Sequence, residues 1–199
     1  MKAFRTVLWA LIAALAVTLG WLTYEWQVSE NRIADKPYGV PFALVDQSGS
    51  PITEAAFRGR PTVLFFGFTH CPEICPTTLY ELDSWLKQAD PEGGKIGAYF
   101  ITVDPERDTP ELMGSYVAGV SDRIIGISGD PDKIGDVVKG FNIYAKKVPT
   151  DASDPGGEYT MDHTASVFLL DAEGRFKGTI AWGENPDIAV TKLENLLKG

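Results

Sequence analysis

The sequence predicts an α/β fold in which a mixed sheet is flanked by helices and follows a single N-terminal transmembrane helix. Uncharged residues fill the stretch from Thr6 to Tyr24. Beyond it, continuous apolar runs alternate with helical patterns, which is typical of a sheet covered by helices. Three of those helices begin with a polar residue followed by proline, a common signal for a capped helix start.

The apolar N-terminal stretch predicts a membrane anchor over residues 1–26. A helix rises about 1.5 Å per residue, so this stretch nearly crosses a bilayer core. Lys2 and Arg5 precede it, and positive charge stays on the cytoplasmic side, so the remainder is expected to be exported. The alternative is a cleaved signal peptide with residues 14–16 (Ala-Leu-Ala) as its cleavage site. The start lacks the Arg- and Ser-rich pattern of a mitochondrial transit peptide, which favours a single-pass protein of a bacterial inner membrane with its soluble domain in the periplasm.

Two further segments complete the domain organisation. Residues 27–41 are polar, contain three Pro or Gly residues and show no steady period, so they are predicted to be a tether. Residues 42–199 are enough for one domain with a real core. The chain carries 27 acidic against 18 basic residues, a net charge of −9. This balance argues against nucleic acid as a partner.

The elements of the domain are predicted in order from periodicity and turn signals. A hairpin is expected over residues 42–53, with Gly49 in its turn. Later strands are expected at residues 62–68, 98–103, 124–127, 165–170 and 176–181. Helices are expected at residues 77–89 and from Pro110, Pro131 and Pro186 onward. Residues 150–158 are interpreted as a flexible insertion. This order indicates a thioredoxin-like arrangement.

The only two cysteines, Cys71 and Cys75, directly follow the apolar run of residues 62–68. Pro76 predicts that the regular helix begins near it, with Cys75 close to the N-cap. The positive end of a helix dipole favours thiolates, so we expect the pKa of both cysteines to be lowered. Three residues separate the thiols, which still permits a disulfide in an oxidising compartment. The pair is therefore predicted to be a metal ligand set or a redox couple.

Two thiolates leave a soft ion under-coordinated, so a third ligand is needed from elsewhere. His163 follows the insertion and precedes a strand, and its imidazole would complete a two-sulfur, one-nitrogen set that suits Cu(I), or Cu(II) with an added ligand. Asp162 is a candidate to orient the ring from behind. Asp104, where the second central strand ends, is a candidate to stand near the thiols. The alternative for His163 is a surface histidine that only caps a strand.

Other polar residues near these motifs are interpreted more simply. His70 is left outside the ligand set because adjacent residues seldom reach one ion without strain. Met161 is a possible soft ligand, but such methionines usually pack. Arg107 is expected to pair within its own loop. Asp108 and Thr109 are explained as the turn and cap before the helix at Pro110.

Three stretches resemble the signature motifs of the Sco/SenC family, namely residues 67–76 (GFTHCPEICP), 103–110 (VDPERDTP) and 162–164 (DHT). They occur in the family's order and behind an anchored N-terminus. The resemblance implies a thioredoxin-like fold, membrane tethering and copper bound by Cys71, Cys75 and His163. It also implies a role in building the dinuclear copper centre, CuA, of cytochrome c oxidase subunit II.

Two functions from different classes follow from these residues. The first is a copper metallochaperone without catalytic turnover, whose partners are oxidase subunit II or other periplasmic copper or thiol-redox proteins. The second is a thiol-disulfide oxidoreductase in which Cys71 and Cys75 are redox-active and reduce the oxidase's copper-ligand cysteines. A peroxidase is weaker, because Phe68 occupies the place of that family's signature threonine. His163 discriminates the first two, since a dithiol reductant does not require it.

Overall fold

The computed structural model describes residues 2–34, 36–154 and 156–199, and the chain divides into two units, Met1–Lys36 and Pro37–Gly199. The first unit is helix α1, Lys2–Ala34. Its segment Lys2–Trp26 has a mean hydropathy of 1.9 and is long enough to cross a bilayer. The predicted apolar N-terminal helix is therefore confirmed, whereas its insertion in a membrane stays a prediction.

The segment assigned to the tether has more structure than its composition indicated. Residues 27–34 belong to α1, Asp35 lies outside the described residues, and the segment after Lys36 belongs to the second unit. Within that unit, the backbone N–H of Tyr38 donates to the Gly174 carbonyl at 2.8 Å, and its hydroxyl donates to the Phe141 carbonyl at 2.8 Å. The end of the tether thus packs on the folded domain, because it carries an aromatic ring that the domain can bury.

The second unit alternates strands and helices much as predicted. Its strands are β1 Ala43–Asp46, β2 Pro51–Thr53, β3 Thr62–Gly67, β4 Gly97–Thr102, β5 Ile124–Ser128, β6 Ala145–Pro149, β7 Tyr159–His163, β8 Ser166–Leu170 and β9 Phe176–Ala181. Its helices are α2 Ile74–Ala89, α3 Pro110–Ala118, α4 Pro131–Gly140 and α5 Pro186–Lys198, and a 3-10 helix spans Glu54–Phe57.

Seven strands of the described chain form one mixed sheet in the order β2-β1-β5-β4-β3-β8-β9. Strands β3, β4 and β5 run parallel, whereas β1 pairs antiparallel with β5, and β8 with β3. Every residue of β3 and β4 is buried, as expected for strands covered on both faces. The predicted mixed sheet flanked by helices is confirmed.

The three polar-proline pairs begin helices as predicted. Thr109, Asp130 and Asn185 are the N-caps of α3, α4 and α5, and each side chain accepts a backbone N–H of the first turn. Proline follows each cap, at a position where a backbone N–H would have no partner within the helix, so the N–H that proline lacks is not needed. These starts were predictable because capping depends only on neighbouring residues.

The interpretation of residues 150–158 as a flexible insertion was incomplete. Strands β6 and β7 pair antiparallel as a separate two-stranded ribbon, and these residues connect them. Pro155 lies outside the described residues. The ribbon escaped prediction because β6 carries the exposed side chains of Lys146 and Lys147 rather than an alternating apolar pattern.

Candidate metal centre

Cys71 lies in the loop between β3 and α2, and Cys75 lies in the first turn of α2. The parallel pairing of β3 with β4 brings their carboxyl ends to one edge of the sheet, where Gly67 pairs with Thr102. Helix α2 begins at Ile74, two residues before Pro76, so that Cys75 is inside its first turn. The helix start thus differs slightly from the prediction, because a proline is tolerated anywhere within a first turn.

The sulfur of Cys71 takes the place of a capping side chain. The N-cap residue of α2 is Glu73, whose side chain makes no capping hydrogen bond. Instead, the backbone N–H of Cys75 donates to Cys71 Sγ at 3.3 Å. Open N–H groups at a helix start need an acceptor, and a negatively charged one gains further from the dipole. The local fold therefore favours a thiolate at Cys71.

The two thiols hold their protons very differently. The pKa of Cys71 is lowered from 9.0 to about 4, chiefly because the Cys75 side chain donates a hydrogen bond to its sulfur. The pKa of Cys75 is raised, because that same hydrogen bond retains its proton and because its sulfur is buried. The expectation of two lowered pKa values was therefore wrong for Cys75. The pair holds one proton between them at neutral pH.

His163 ends strand β7 and faces the thiols. Its Nε2 lies 3.4 Å from Cys75 Sγ, and its Nδ1 lies 3.0 Å from the backbone carbonyl of Thr164. A carbonyl can only accept, so this contact assigns a proton to Nδ1, and Nε2 is the nitrogen that faces the thiols. The structure thus places His163 on a strand of the ribbon rather than on a mobile loop, with its nitrogen ready to bind an ion.

Aromatic rings wall one side of the imidazole. Phe68 packs edge-on against His163 with 5.7 Å between ring centroids, and Phe65 lies at 6.3 Å. Both phenylalanines are fully or almost fully buried. An apolar wall limits water around a metal site and holds the ligand ring in one orientation.

Cys71 Sγ, Cys75 Sγ and a nitrogen of His163 all lie within 4.8 Å of one another. Ligand atoms bound to one ion at about 2.0–2.3 Å are at most about 4.6 Å apart. Two thiolates and one imidazole are donors that suit Cu(I). The structure thus brings together the three predicted side chains with nearly the spacing that one ion needs, while their binding of copper stays a prediction.

Asp162 does not lie where the sequence suggested. Its side chain is exposed, and successive residues of a strand face opposite sides, so it points away from the face of its neighbour His163. No hydrogen bond joins the Asp162 carboxylate to the ring within the described residues. The Thr164 carbonyl holds the ring nitrogen instead.

Asp104 is buried, but its carboxylate binds groups other than the thiols. It forms an ion pair with Arg107 Nε, and the Tyr159 hydroxyl donates to its Oδ1 at 2.9 Å. Arg107 therefore pairs within its loop, as expected. The contact to Tyr159 connects the loop after β4 to the ribbon that carries His163.

Asp108 makes more contacts than a residue that only forms the turn before a helix. Its side chain is completely buried and accepts hydrogen bonds from the Thr69 N–H at 3.1 Å, the Thr69 hydroxyl at 2.6 Å and the Thr102 hydroxyl at 2.7 Å. Thr109, not Asp108, caps the helix. Asp108 thus connects β4 to the loop of residues 68–73, which contains Cys71 and is called the thiol loop below. The available signal was the presence of threonines near the ends of two adjacent parallel strands, where side chains converge.

Two other candidates keep their minor roles. His70 is about half exposed, with Nδ1 3.8 Å from Asp108 Oδ1 and 3.1 Å from the Thr69 hydroxyl. Met161 is partly buried and packs against the hydrophobic core. His70 lies outside the group formed by Cys71, Cys75 and His163 in the described part of the chain.

Comparisons with known proteins agree with this geometry. The structure of Bradyrhizobium japonicum ScoI with copper bound is 43% identical, covers 80% of this chain and 99% of its own, and superimposes with a TM-score of 0.72. Yeast Sco1 with copper bound is 31% identical, covers 82% of this chain and 90% of its own, and has a TM-score of 0.73. These neighbours confirm the predicted thioredoxin-like fold.

The curated relatives include mitochondrial SCO2 of Saccharomyces cerevisiae, which is 34% identical over an alignment of 189 residues that covers 88% of this chain. This match spans only 62% of the yeast protein. A SCO2-like protein of Rickettsia prowazekii is 34% identical over 78% of this chain and 73% of its own length. The SCO1/SenC family model matches residues 30–198, and the chain therefore belongs to the SCO1/SenC family.

Proposed function

We propose that this chain is a membrane-tethered copper metallochaperone that binds copper through Cys71, Cys75 and His163. The observation that carries the proposal is the spacing of three soft or borderline ligand atoms within 4.8 Å at the carboxyl edge of the sheet. The copper bound by the Bradyrhizobium japonicum relative supports the choice of ion. Membership of the SCO1/SenC family supports assembly of the CuA centre in cytochrome c oxidase subunit II as the process served.

In this mechanism the residues prepare the site and copper is the cargo. Cys71 is already a thiolate, so it captures the ion first. Cys75 then loses its proton and becomes the second sulfur ligand, since metal ligands must be deprotonated. His163 adds Nε2 from the ribbon. Transfer proceeds by exchange of these ligands for those of a partner docked at the same edge.

Copper binding is tested with the reduced full chain in detergent, titrated anaerobically with Cu(I). We expect one ion per chain with sulfur and nitrogen neighbours in X-ray absorption. Loss of a residue that hydrogen-bonds to a metal ligand typically lowers metal affinity by about 10- to 100-fold. His163→Ala removes a ligand itself, so it should lower the copper affinity by more than that. It should leave the thiol redox couple nearly intact. His70→Ala is the matched control, since it removes the other histidine. Unchanged copper binding in His163→Ala rejects the three-ligand site.

The alternative is a thiol-disulfide oxidoreductase, and the unequal thiols favour it as a second candidate. Cys71 is a thiolate with 9% of its surface exposed, whereas Cys75 is protonated and buried. The Cys71 thiolate would attack a partner disulfide and displace one partner sulfur as a thiolate. Cys75, after losing its proton, would attack Cys71 Sγ, release the second partner thiol and leave a Cys71–Cys75 disulfide.

The two candidates separate at His163. A reductase predicts that His163→Ala still reduces a disulfide-containing oxidase peptide at nearly the wild-type rate, and that copper has no part in the reaction. The chaperone predicts loss of copper transfer to the reduced peptide by the same variant. Cys71→Ser and Cys75→Ser should abolish both activities, so they serve only as negative controls.

The tethering and its direction form a separate part of the proposal. The Lys2–Trp26 segment is apolar enough to span a bilayer, and Lys2 and Arg5 at its start favour a cytoplasmic N-terminus. In a bacterial host the full chain should remain in the membrane pellet after alkaline extraction, and a variant lacking residues 2–26 should not. Protease added to spheroplasts should degrade the domain; full protection would contradict the periplasmic orientation.

A further inference from the structure

The loop after β4, residues 103–109, lies between the thiol loop and the β6–β7 ribbon, and Arg107 reaches both. The Arg107 guanidinium carbon lies 3.9 Å from the ring centroid of Tyr159 in the ribbon. It also lies 5.9 Å from the ring centroid of Phe68, in the loop that leads to Cys71. A single side chain thus touches the two segments that carry the thiols and the imidazole.

Asp104 anchors the guanidinium. The Asp104 side chain is completely buried and pairs with Arg107 Nε, and its backbone N–H donates to the Thr102 hydroxyl at 2.9 Å. Arg107 Nη2 is buried without a hydrogen-bond partner among the described residues. The charge of Asp104 is completely buried and is tolerated only when it is paired in good geometry, so Arg107 has little freedom to move away from it.

Tyr159 makes three contacts with the loop after β4. Its ring lies against the guanidinium, its carbonyl accepts a hydrogen bond from Arg107 Nη1 at 2.9 Å, and its hydroxyl donates to Asp104 Oδ1 at 2.9 Å. Stacking of arginine on an aromatic ring and hydrogen bonds to charged groups are among the stronger polar contacts in proteins. Together they fasten the start of β7 to the loop after β4.

Strand β7 carries this restraint to the metal centre. Tyr159 and His163 lie at the two ends of one five-residue strand, about 13 Å apart at the usual rise of a strand. Among the residues that the structure describes, the two strands of the ribbon pair with each other and not with the seven-stranded sheet. Contacts such as that of Tyr159 are therefore needed to fix how the ribbon lies over the thiols.

A second pair between the same loop and ribbon lies at the surface. Lys147 Nζ is 2.6 Å from Glu106 Oε2, and both side chains are about half exposed. Exposed ion pairs stabilise a protein by little. Glu106→Gln thus provides a matched control, because it weakens a loop-to-ribbon contact and leaves Arg107 and Tyr159 in place. Lys147 also contacts the Tyr159 ring, with Nζ 4.6 Å from the ring centroid, but it does so from within the ribbon.

We propose that Arg107, anchored by Asp104 and covered by the Tyr159 ring, is the positioning residue that holds the β6–β7 ribbon so that the His163 imidazole lies at the Cys71–Cys75 pair. Arg107 binds no ion itself. It acts through the ribbon, and the benefit for copper binding rests on the proposed function.

The geometric part is tested without copper. In the reduced full chain in detergent, with histidine and phenylalanine rings selectively labelled, the nuclear Overhauser effect between the His163 and Phe68 rings reports their contact. We expect Tyr159→Leu to abolish or strongly weaken this signal. Tyr159→Phe, which keeps the ring stacked on Arg107, should retain most of it, and Glu106→Gln should leave it unchanged. An undiminished signal in Tyr159→Leu overturns the proposal.

Copper affinity provides the second test. Tyr159→Leu should lower Cu(I) affinity by about 10- to 100-fold, as is typical for residues that orient a ligand. The same substitution made in a His163→Ala background should have almost no effect, because no imidazole remains to be positioned. An equal loss in both backgrounds means a general structural defect and overturns the proposal.

Folding and function are kept apart by two further measurements. Urea unfolding and circular dichroism show whether the domain of each variant is folded. Arg107→Lys keeps the charge but loses the planar guanidinium fork. This variant should fold and should weaken the contact between the His163 and Phe68 rings. If neither the wild type nor any variant binds copper, the proposed function fails. The positioning role is then still decided by the nuclear Overhauser effect between the His163 and Phe68 rings.

Discussion

The Nε2 atom of His163 lies 3.4 Å from Cys75 Sγ, although 88 positions separate these residues in the chain. The antiparallel pairing of β8 with β3, in which Phe65 lies opposite Val167, explains the approach. It brings the start of β8 beside the end of β3. The residues just before β8 therefore arrive at the edge where the thiols lie.

The state of Cys71 predicts unusual reactivity at acidic pH. Its pKa of about 4 keeps it a thiolate well below neutrality. The rate of its alkylation by iodoacetamide should therefore stay nearly constant between about pH 5 and pH 7. Over the same range, the alkylation rate of an ordinary thiol falls about tenfold for each unit by which the pH is lowered. In Cys75→Ala the hydrogen bond to the thiolate is lost, and the pKa of Cys71 should rise. Alkylation that falls tenfold per unit in the wild type would contradict the assignment.

The lowered pKa of Cys71 also determines how the stability of the fold changes with pH. The folded chain binds fewer protons at Cys71 than the unfolded chain between about pH 4 and pH 9, so this residue makes unfolding less favourable as pH rises through that window. The contribution should be lost as pH falls toward about 4. Urea unfolding of the reduced, metal-free chain measures it, with Cys71→Ser as the variant in which this component disappears.

Copper binding should release about one proton per ion near pH 8, because Cys75 is the protonated ligand and ligands bind deprotonated. Cys71 is already ionised at that pH. Calorimetry in buffers of different ionisation enthalpy measures the number. Two protons per ion in the wild type would show that Cys71 is protonated as well.

Gly67 leaves room for the thiol of Cys75. A Cβ at this position would meet Cys75 Sγ and Phe100 Cε2 at 2.8 Å each. Gly67→Ala should destabilise the domain by about 1–3 kcal/mol through overpacking and weaken copper binding by displacing the sulfur. The control is Gly135→Ala in α4, where a Cβ meets nothing within 4 Å and should stabilise the helix by about 0.5–1 kcal/mol. Equal effects at both positions would refute the steric argument.

Asp108 is predicted to stabilise the thiol loop. Asp108→Asn replaces one acceptor oxygen by a donor that faces the Thr69 and Thr102 donors, so it should cost about 1–3 kcal/mol in urea unfolding. Asp136→Asn on the exposed face of α4 should change stability by less than about 0.5 kcal/mol. A neutral Asp108→Asn would mean that the loop is held by other contacts.

Much of the fold was predictable because its signals are local. The helix starts at Pro110, Pro131 and Pro186 depend on a capping side chain and the next residue. The central strand at residues 62–68 was visible because burial on both faces requires a continuous apolar run. The β6–β7 ribbon was not visible, since a surface ribbon rich in lysine needs no such pattern.

The candidate site shows the same division among its carboxylates. Asp162 was favoured because it adjoins His163, but neighbours on a strand face opposite sides. Asp104 was expected near the thiols because loops at the ends of adjacent strands converge, and Asp108 was explained by the turn before a helix. Their partners Tyr159 and Thr69 come from distant parts of the chain. Proximity in sequence is a poor guide to which acid supports a ligand.

By itself, the sequence determined that two thiols meet a helix start at the end of a buried strand, behind an apolar N-terminal helix, since each of these features depends on neighbouring residues. The tertiary structure alone decided that the imidazole reaches those thiols, that one proton is shared unequally between them, and that Arg107 joins loop and ribbon. Those relationships depend on strand pairing and on burial of charge between segments far apart in the chain, which no local pattern encodes.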